Sequence, residues 1–544
     1  MKDKIRLLYF YSALALLSAL LFSQCKKVPA TRPSTSTTTT TLNTQPIDTG
    51  LIPLKNMFGI NAYEWNFLQN PADPSNVSAI YEADMAAINN FTAVRHYLDW
   101  YQLEDTVGSY TFNPSHEGSW NLDIIYQRAK QDSLFMLVDI KSCPPWLQST
   151  YPAALQNTWD NPAPYGSDLS DPASYILQGK VAFQFAARYG SNAAVDPSLV
   201  TVDTTIRWTG DPPNVVKIGL NTVKYVECDN ERDNWWIGPQ GEQNAQQYAA
   251  NMSAFYDGNK GKLGKNVGVK NADPHMVVVM GGLASSSPQF VQDMIDWCKT
   301  NRGYRSNGDV DLCFDVINYH FYSNDGNVLT NVVKTVGMAP ELSTTAGSVA
   351  DGFVKLAGTI AGHPQVWVTE NGYDINPAST QRAVVIGNKS VLMVEGDWII
   401  RSALFYARHG VTRLFFYQLF DDTPNSTETF GTSGLINDDL TRRPAADYIL
   451  QVKKLMGNYG YKSTLNADPL VDKYVYGAKI IYALMIPDQK GRTGSYTLDL
   501  GTSASAIIYS LKAGANVMTQ SKVNTVAGKL TVNVSETPVF VQGQ

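Results

Sequence analysis

The chain has 544 residues, of which 44% are hydrophobic and 17% are charged, so it can bury a sizeable core. Its length exceeds that of one average domain and favours one large domain with a smaller one. The formal net charge is −6, and no basic cluster occurs beyond the N-terminus, which argues against a nucleic-acid-binding protein.

The first 25 residues have the features of a targeting signal. Basic residues precede a mostly apolar run over 7–22, which is shorter than the ~20 residues of a membrane-spanning helix. The run ends just before Cys25, an arrangement that resembles a bacterial lipoprotein signal. We expect a lipid anchor on Cys25 and a position in the bacterial cell envelope, facing the periplasm or the surface. An ordinary secretory signal, giving a secreted protein, is the alternative.

A threonine-rich segment follows the signal and is poor in apolar residues, so residues 26–50 are predicted to form a linker. Eight apolar segments alternate with helical patterns after it. These predicted strands are 57–62, 93–97, 135–140, 223–228, 276–280, 316–321, 366–369 and 413–417. The alternation predicts an α/β fold, a (β/α)8 TIM barrel over 51–457. A doubly wound open sheet is the alternative, although no glycine-rich phosphate loop follows the first strand.

The last part of the chain changes character after a helix predicted over 445–456. Short apolar strands are separated there by Gly, Asp, Asn and Pro, which is typical of antiparallel sheets. The predicted strands are 474–476, 480–486, 496–500, 506–509, 530–534 and 539–541. We expect a β-sandwich domain over 458–544 that packs on the barrel. Residues 457–469 are expected to be a short connection through which the chain enters this domain.

Two glutamates each stand at the end of a predicted strand. Glu231 follows the fourth strand and Glu370 ends the seventh, so a barrel would bring both to its C-terminal mouth. Paired carboxylates in that position suit the cleavage of glycosidic bonds. Alternation along the fourth strand would place Asp229 on the same face, which makes it a rival acid. Glu227 lies deeper and is expected to pair with Arg95.

The motifs around the two glutamates resemble those of the clan A retaining glycoside hydrolases. Asn230 precedes Glu231, and Glu370 is followed by Asn371 and Gly372. A His-x-Tyr motif, which is typical of the sixth strand, is present as His320 and Tyr322. The likeness covers most of residues 57–544 and is closest to family 39, with families 30 and 5 as alternatives.

The resemblance implies a role for each of these residues. Glu370 would be the nucleophile, kept ionised by Arg95 and by hydrogen bonds from Tyr322 and His320. Glu231 would be the general acid and then the general base. Asn230 would bind the 2-hydroxyl of the sugar. Tyr417 stands where the eighth strand usually supplies a tryptophan platform. The activity implied is hydrolysis of β-linked oligo- or polysaccharides by double displacement, without a cofactor or a metal.

Several tryptophans follow predicted strands, and flat rings of this kind stack on sugars. Trp146 is the residue that we expect to contact the substrate. Trp235 and Trp236 are adjacent, so one of them is expected to lie in the core. Neither Cys143, Cys228, Cys298 nor Cys313 has metal-ligand spacing; either Cys298 pairs with Cys313 or all four are free.

Three other functions fit parts of the pattern. A transglycosylase would use the same residues with a more apolar acceptor site. A non-catalytic glycan-binding lipoprotein would not require both glutamates, and a structural surface protein would leave the pair unexplained. We expect a monomer.

Overall fold

A closed barrel of eight parallel strands forms the centre of the computed structural model, which describes residues 50–156, 160–326, 332–423 and 426–544. The strands before the last helix are β1 (Gly59–Ala62), β2 (Ala93–Asp99), β3 (Glu104–Thr106), β4 (Ser109–Tyr110), β5 (Phe135–Lys141), β6 (Tyr225–Cys228), β7 (Val277–Met280), β8 (Val316–His320), β9 (Gln365–Glu370) and β10 (Arg413–Phe416). β3 and β4 form a separate hairpin, and the other strands form the barrel in chain order. β10 pairs with β1, so the predicted barrel is confirmed and the open sheet is excluded.

Helices follow the barrel strands, and the longer ones cover the outer faces of the strands. They are α1 (Trp65–Leu68), α2 (Glu82–Ile88), α3 (Trp100–Leu103), α4 (Leu122–Gln131), α5 (Pro145–Gln148), α6 (Ile176–Tyr189), α7 (Ala245–Asp257), α8 (Val269–Ala272), α9 (Pro288–Asn301), α10 (Ala346–Thr359), α11 (Val391–Arg408) and α12 (Pro444–Met456). Local chemistry sets their ends: α7 begins with a capping box between Asn244 and Gln247 and ends at Gly258 in the left-handed region. Among the described residues, no helix has the length and apolar character needed to span a membrane.

The interior of the barrel has two layers. Apolar side chains fill its N-terminal end, where Leu137, Trp367 and Phe415 belong to one buried cluster. Side chains alternate along each strand, so the next inward position on β2 is Arg95 and the next on β6 is Glu227. The layer towards the C-terminal mouth is therefore polar and charged, and it is buried.

The C-terminal strands form separate antiparallel sheets. They are β11 (Gly460–Ala467), β12 (Leu470–Tyr476), β13 (Lys479–Met485), β14 (Gly494–Asp499), β15 (Ser505–Ser510), β16 (Thr519–Asn524), β17 (Lys529–Val534) and β18 (Val539–Gly543). Six of them form the sheet β11-β12-β13-β18-β15-β16, while β14 pairs with β17. The expectation of a short connection over 457–469 is wrong, because β11 occupies most of it. β11 and β16 are rich in polar residues, which hid them from the sequence pattern.

These sheets pack on the barrel helices, as expected. The guanidinium of Arg401 on α11 donates to the backbone carbonyl of Asp488 at 2.8 Å. Arg408, also on α11, forms an ion pair of 3.1 Å with Asp472 on β12. At the N-terminal side of the barrel, the amide of Leu54 donates to the carbonyl of Tyr459 at 2.8 Å. Polar contacts thus join the C-terminal part of the chain both to α11 and to the segment before β1.

The described cysteines are free, buried thiols. The sulfurs of Cys298, near the end of α9, and Cys313, just before β8, lie 3.5 Å apart. Of the two expectations for these residues, the free-thiol form is the one present.

Candidate active site

Arg95 lies at the centre of the polar layer and is fully buried. Its Nε donates to Glu227 at 2.7 Å, which confirms the predicted pairing on β6. Its other nitrogens donate to Glu370 at 3.0 Å and to Asp139 at 2.9 Å. It also donates to the side-chain oxygen of Asn230 at 2.8 Å. One cation therefore connects three carboxylates from β5, β6 and β9 and an amide that follows β6.

Glu370 is surrounded by hydrogen-bond donors. The Tyr322 hydroxyl donates to one carboxylate oxygen at 2.8 Å, and the Tyr97 hydroxyl and Arg95 donate to the other. Burial by itself would raise the pKa of Glu370, but His320, Arg95 and the two tyrosines lower it below its usual value. The pairing between β8 and β9 shifts by one residue near this point, between Tyr319 and His320. Glu370 is therefore held as a carboxylate at the barrel mouth.

Tyr97 was missed by the sequence reasoning. It follows Arg95 by two positions on β2, so the two side chains lie on the same inward face. That spacing was available as a signal, but a tyrosine in an apolar strand is usually part of the core.

Glu231 has fewer partners. It is contacted by His320, whose Nδ1 lies 2.8 Å from a carboxylate oxygen, and its side chain is 21% exposed. Burial raises the pKa of Glu231; His320 opposes this rise, and the charge of Glu370 adds to it. The Glu231 carboxyl therefore holds a proton more readily than an ordinary glutamate.

The expectation that Asp229 shares a face with Glu231 is wrong. β6 ends at Cys228, and both acidic residues then adopt positive φ angles of 62° and 50°. Asp229 turns to an ion pair of 2.7 Å with Arg232 and accepts from Gln178 on α6 at 2.5 Å. Strand alternation does not continue past the strand end, so Asp229 is excluded as a rival acid.

A chain of hydrogen bonds fixes the ring of His320. The amide nitrogen of Asn318 donates to Glu227 at 2.9 Å, so its oxygen accepts from the Thr369 hydroxyl at 3.0 Å. Thr369 must then accept from Nε2 of His320, also at 3.0 Å. Nε2 therefore carries a hydrogen, and Nδ1 faces Glu231. One further proton is shared between His320 and Glu231.

Gly282 lets the histidine ring occupy this place. A Cβ built on Gly282 would lie 2.0 Å from Nε2 of His320. The carbonyl of Gly282 also accepts from the backbone amide of Glu231 at 3.1 Å, and that of Leu283 accepts from the amide of His320 at 3.0 Å. The segment after β7 thus positions both the acid and its histidine.

The two carboxyl groups are close. One oxygen of Glu231, one oxygen of Glu370 and one ring nitrogen of His320 all lie within 4.8 Å of one another. Such a set has the donor atoms for a metal ion. However, the guanidinium of Arg95 lies 3.0 Å from Glu370 and already supplies a positive charge there, which disfavours a second cation.

Aromatic rings border the site on the side of β1 and β10. The hydroxyl of Tyr417 lies 3.3 Å from that of Tyr63, and the Tyr417 ring meets Tyr97 edge to face at 6.3 Å. Tyr63 also stacks on Trp65, with ring centroids 4.3 Å apart. Tyr417 follows the last residue of β10 and contacts Tyr97, which is a donor to Glu370. Its role as a platform for the sugar stays a prediction.

The tryptophans after β5 and β6 differ from expectation. Trp146 is half-buried; it packs edge to face on Trp100 and donates to the carbonyl of Glu104 at 3.0 Å. Its contact with substrate stays a prediction. Trp235 and Trp236 are 58% and 53% exposed, so the expectation that one of them lies in the core is wrong.

A cavity of about 440 Å³ opens beside Glu231. We call it the Lys334 cavity; its lining includes Glu231, Trp235, His320, Tyr322, Lys334 and Phe430. Its described lining does not include Glu370, Arg95 or Asn230. The cavity is therefore on the Glu231 side of the carboxylate pair.

Solved structures of carbohydrate-active enzymes share this architecture. A family 39 glycoside hydrolase from Bacteroides cellulosilyticus WH2 matches with a TM-score of 0.59 and 15% identity over 91% of this chain and 81% of its own. The fold is that of clan A glycoside hydrolases. A family 30 endoxylanase from Clostridium papyrosolvens C71 matches with a TM-score of 0.51 and 13% identity, covering 91% of this chain and 98% of its own.

A family 51 α-L-arabinofuranosidase from Bifidobacterium longum has a TM-score of 0.52 and 12% identity over 91% of this chain and 97% of its own. No family model matches the sequence, and no curated protein matches it. The resemblance predicted from the sequence, to clan A enzymes such as those of families 39 and 30, is thus confirmed at the level of the fold.

Proposed function

We propose that the protein is a retaining glycoside hydrolase that cleaves β-linked glycans through a covalent glycosyl-enzyme intermediate. The observation that carries the proposal is the pair Glu231 and Glu370, with oxygens within 4.8 Å and pKa shifts of opposite sign. Retaining enzymes hold their carboxyl groups about 5–5.5 Å apart, whereas inverting enzymes need about 6.5–9.5 Å to admit a water molecule.

In the first step, the carboxylate of Glu370 attacks the anomeric carbon. The bond from that carbon to the leaving oxygen breaks, and Glu231 delivers the proton that it shares with His320 to this oxygen. Arg95 and the hydroxyls of Tyr97 and Tyr322 keep Glu370 ionised before the attack.

In the second step, the role of Glu231 changes because Glu370 has lost its negative charge. Once Glu370 is an ester, it no longer raises the pKa of Glu231, so Glu231 becomes a base and accepts a proton from water. The water oxygen then bonds to the anomeric carbon, and the ester bond to Glu370 breaks. The same residue thus serves as acid and base.

Asn230 is suited to binding the sugar during both steps. Its side-chain oxygen accepts from Arg95 at 2.8 Å, which leaves its amide nitrogen to donate to the 2-hydroxyl of the sugar. A hydrogen bond to this hydroxyl strengthens in the transition state.

The substrate is an oligo- or polysaccharide. The similar structures include an endoxylanase and an α-L-arabinofuranosidase, so aryl pentosides and pentose-containing polysaccharides are the first substrates to test. We expect hydrolysis of an aryl β-glycoside, and proton NMR should show the β-anomer as the first product. A first product with the α-configuration would contradict the retaining mechanism. Glycan binding without turnover would support the non-catalytic alternative, and predominant sugar transfer would support a transglycosylase.

We further propose an exported protein anchored in the bacterial cell envelope through Cys25, which lies outside the described residues. Its parts would be the signal over 1–25, the linker over 26–50, the catalytic barrel over 51–457 and a β-sandwich over 458–544. One apolar cluster that includes Leu484 of the large sheet and Val532 of the β14–β17 pair supports the sandwich.

Three measurements test this organisation. Replacing Cys25 with Ser should release the protein from the membrane fraction, and retention there would contradict the anchor. Truncation after Met456 should give an insoluble or much less stable barrel, because the sheets cover α11 and α12. Sedimentation of residues 51–544 should give the mass of a monomer.

A further inference from the structure

The position of the Lys334 cavity identifies what part of a substrate it would hold. It is lined by Glu231 but not, among the described residues, by Glu370. The acid must touch the oxygen that leaves, whereas the nucleophile must face the other side of the anomeric carbon. The cavity therefore receives the leaving group, and the Arg95 side of the site receives the sugar that is attacked.

Lys334 is the unusual member of this lining. It is partly buried, and none of the acidic side chains in the described ranges forms an ion pair with it. Its nitrogen lies 5.3 Å from the centroid of the Phe430 ring. Burial lowers the pKa of Lys334, and the charge of Asp374 opposes this effect. The ammonium has lost part of its hydration without gaining a direct anionic partner.

Neighbouring charged groups are engaged elsewhere. Asp374 accepts from the backbone amides of Phe430 at 2.7 Å and Thr432 at 3.0 Å. Glu231 is turned to His320 and shares a proton with it. Within the described residues neither acid forms an ion pair with Lys334, so its ammonium is available to an anion that enters the cavity.

The rest of the cavity suits a sugar ring. Trp235 is 58% exposed and presents a flat apolar surface, and Phe430 supplies a second ring that packs on Tyr322 at 4.4 Å between centroids. Side chains of Ser286, Asn324 and Ser343 add polar groups to the lining. Aromatic surfaces combined with a few polar groups are typical of small-molecule sites.

We propose that the Lys334 cavity binds a leaving-group sugar that carries an anionic substituent, either the carboxylate of a uronic acid or a sulfate ester, and that Lys334 pairs with this anion. The inference rests on the proposed function, because the assignment of the leaving-group side uses the roles of Glu231 and Glu370. It makes the substrate class an acidic glycan with a charged residue next to the cleaved bond.

A binding experiment tests the anion preference without requiring turnover. Calorimetry would compare methyl glucoside, methyl glucuronide and methyl glucoside 6-sulfate. We expect at least one charged ligand to bind about tenfold more tightly than the neutral one. Lys334→Met should abolish that difference and Lys334→Arg should keep most of it. Lys355→Met, which changes an exposed lysine on α10, should leave it intact.

A glycosyl-transfer experiment tests whether the anionic sugar binds on the Glu231 side of the site. With an activated aryl glycoside as donor, the same three methyl glycosides would compete as acceptors for the glycosyl-enzyme. In each transfer the ester bond to Glu370 breaks, the acceptor oxygen bonds to the anomeric carbon and its proton passes to Glu231. The ratio of charged to neutral transfer products should be about ten in the wild type and about one in Lys334→Met.

The outcomes separate the two proposals. If no aryl glycoside is cleaved, the proposed function fails, while the calorimetry still decides the anion preference. If the charged and neutral ligands bind equally, or if the preference survives Lys334→Met, the inference is overturned. A preference for the glucuronide alone or the sulfate alone identifies the anion.

Discussion

The surroundings of Glu370 and those of Glu231 differ in nearly every respect. Glu370 is 9% exposed and receives hydrogen bonds from Arg95, Tyr97 and Tyr322. Glu231 is 21% exposed, is contacted by His320 and borders a cavity. The same type of side chain therefore has a lowered pKa at Glu370 and a raised pKa at Glu231.

The difference shows how a single barrel mouth can supply both a base and an acid. Burial raises the pKa of a carboxyl group unless donors compensate for the lost hydration. β2 and the segment after β8 bring those donors to Glu370, whereas Glu231 stands on a turn after β6 where few donors reach it. Substitutions at these residues should therefore change the surroundings of one glutamate or of both.

The largest effect should come from removing the ionised carboxylate. Glu370→Ala should lower kcat by more than about 10⁴-fold, because no ester intermediate can form. Added azide should restore some turnover and give the α-glycosyl azide, measured by NMR of the product. Glu242→Ala, at an exposed glutamate, should have no effect. An azide product with the β-configuration would reverse the assignment of the two glutamates.

Removing the acid should have an effect that depends on the leaving group. Glu231→Ala should slow natural glycans by about 10²–10⁴-fold but spare activated aryl glycosides far more, because these leave without protonation. Steady-state kinetics on a series of aryl glycosides would give a steeper dependence on leaving-group pKa than in the wild type. An equal loss across the series would show that Glu231 is not the acid.

Replacing the histidine should move the whole pH profile. His320 lowers the pKa of both Glu231 and Glu370, so His320→Asn should raise both values. The acidic and basic limbs of kcat/KM should then both shift to higher pH, with kcat reduced about tenfold or more. A profile in which just one limb moved would contradict contact of His320 with both carboxyls.

The smallest effect should come from single donors of Glu370. Tyr97→Phe removes one hydrogen bond to the carboxylate, so the pKa of Glu370 should rise and the acidic limb alone should shift to higher pH. We expect kcat to fall about tenfold, and Tyr322→Phe should act similarly. Tyr165→Phe, at an exposed tyrosine, is the control. A shift of the basic limb instead would indicate that Tyr97 acts on Glu231.

Much of the site follows from local sequence pattern. The eight barrel strands, the positions of Glu231 and Glu370 near strand ends and the pairing of Arg95 with Glu227 were all predicted. These features depend on apolar runs and on the two-residue alternation of a strand, which are properties of the sequence itself. The places of Tyr322 and His320 near Glu370 followed from the family motif, whereas the contact of His320 with Glu231 was not predicted.

Other features did not follow from strand alternation and apolar runs. Asp229 could not be separated from Glu231 by alternation, because the turn after Cys228 changes the direction of both side chains. Likewise, β11 and β16 carry polar side chains and are strands because neighbouring strands pair with them.

The sequence by itself determined a barrel with two glutamates near strand ends, because hydrophobic periodicity and strand order are encoded locally. The tertiary structure decided how the two glutamates differ, because a pKa depends on burial and on donors that arrive from β2, from β8 and from the segment after β8. It also brought Lys334 into the lining of the same cavity as Glu231, although the two residues are far apart in the sequence.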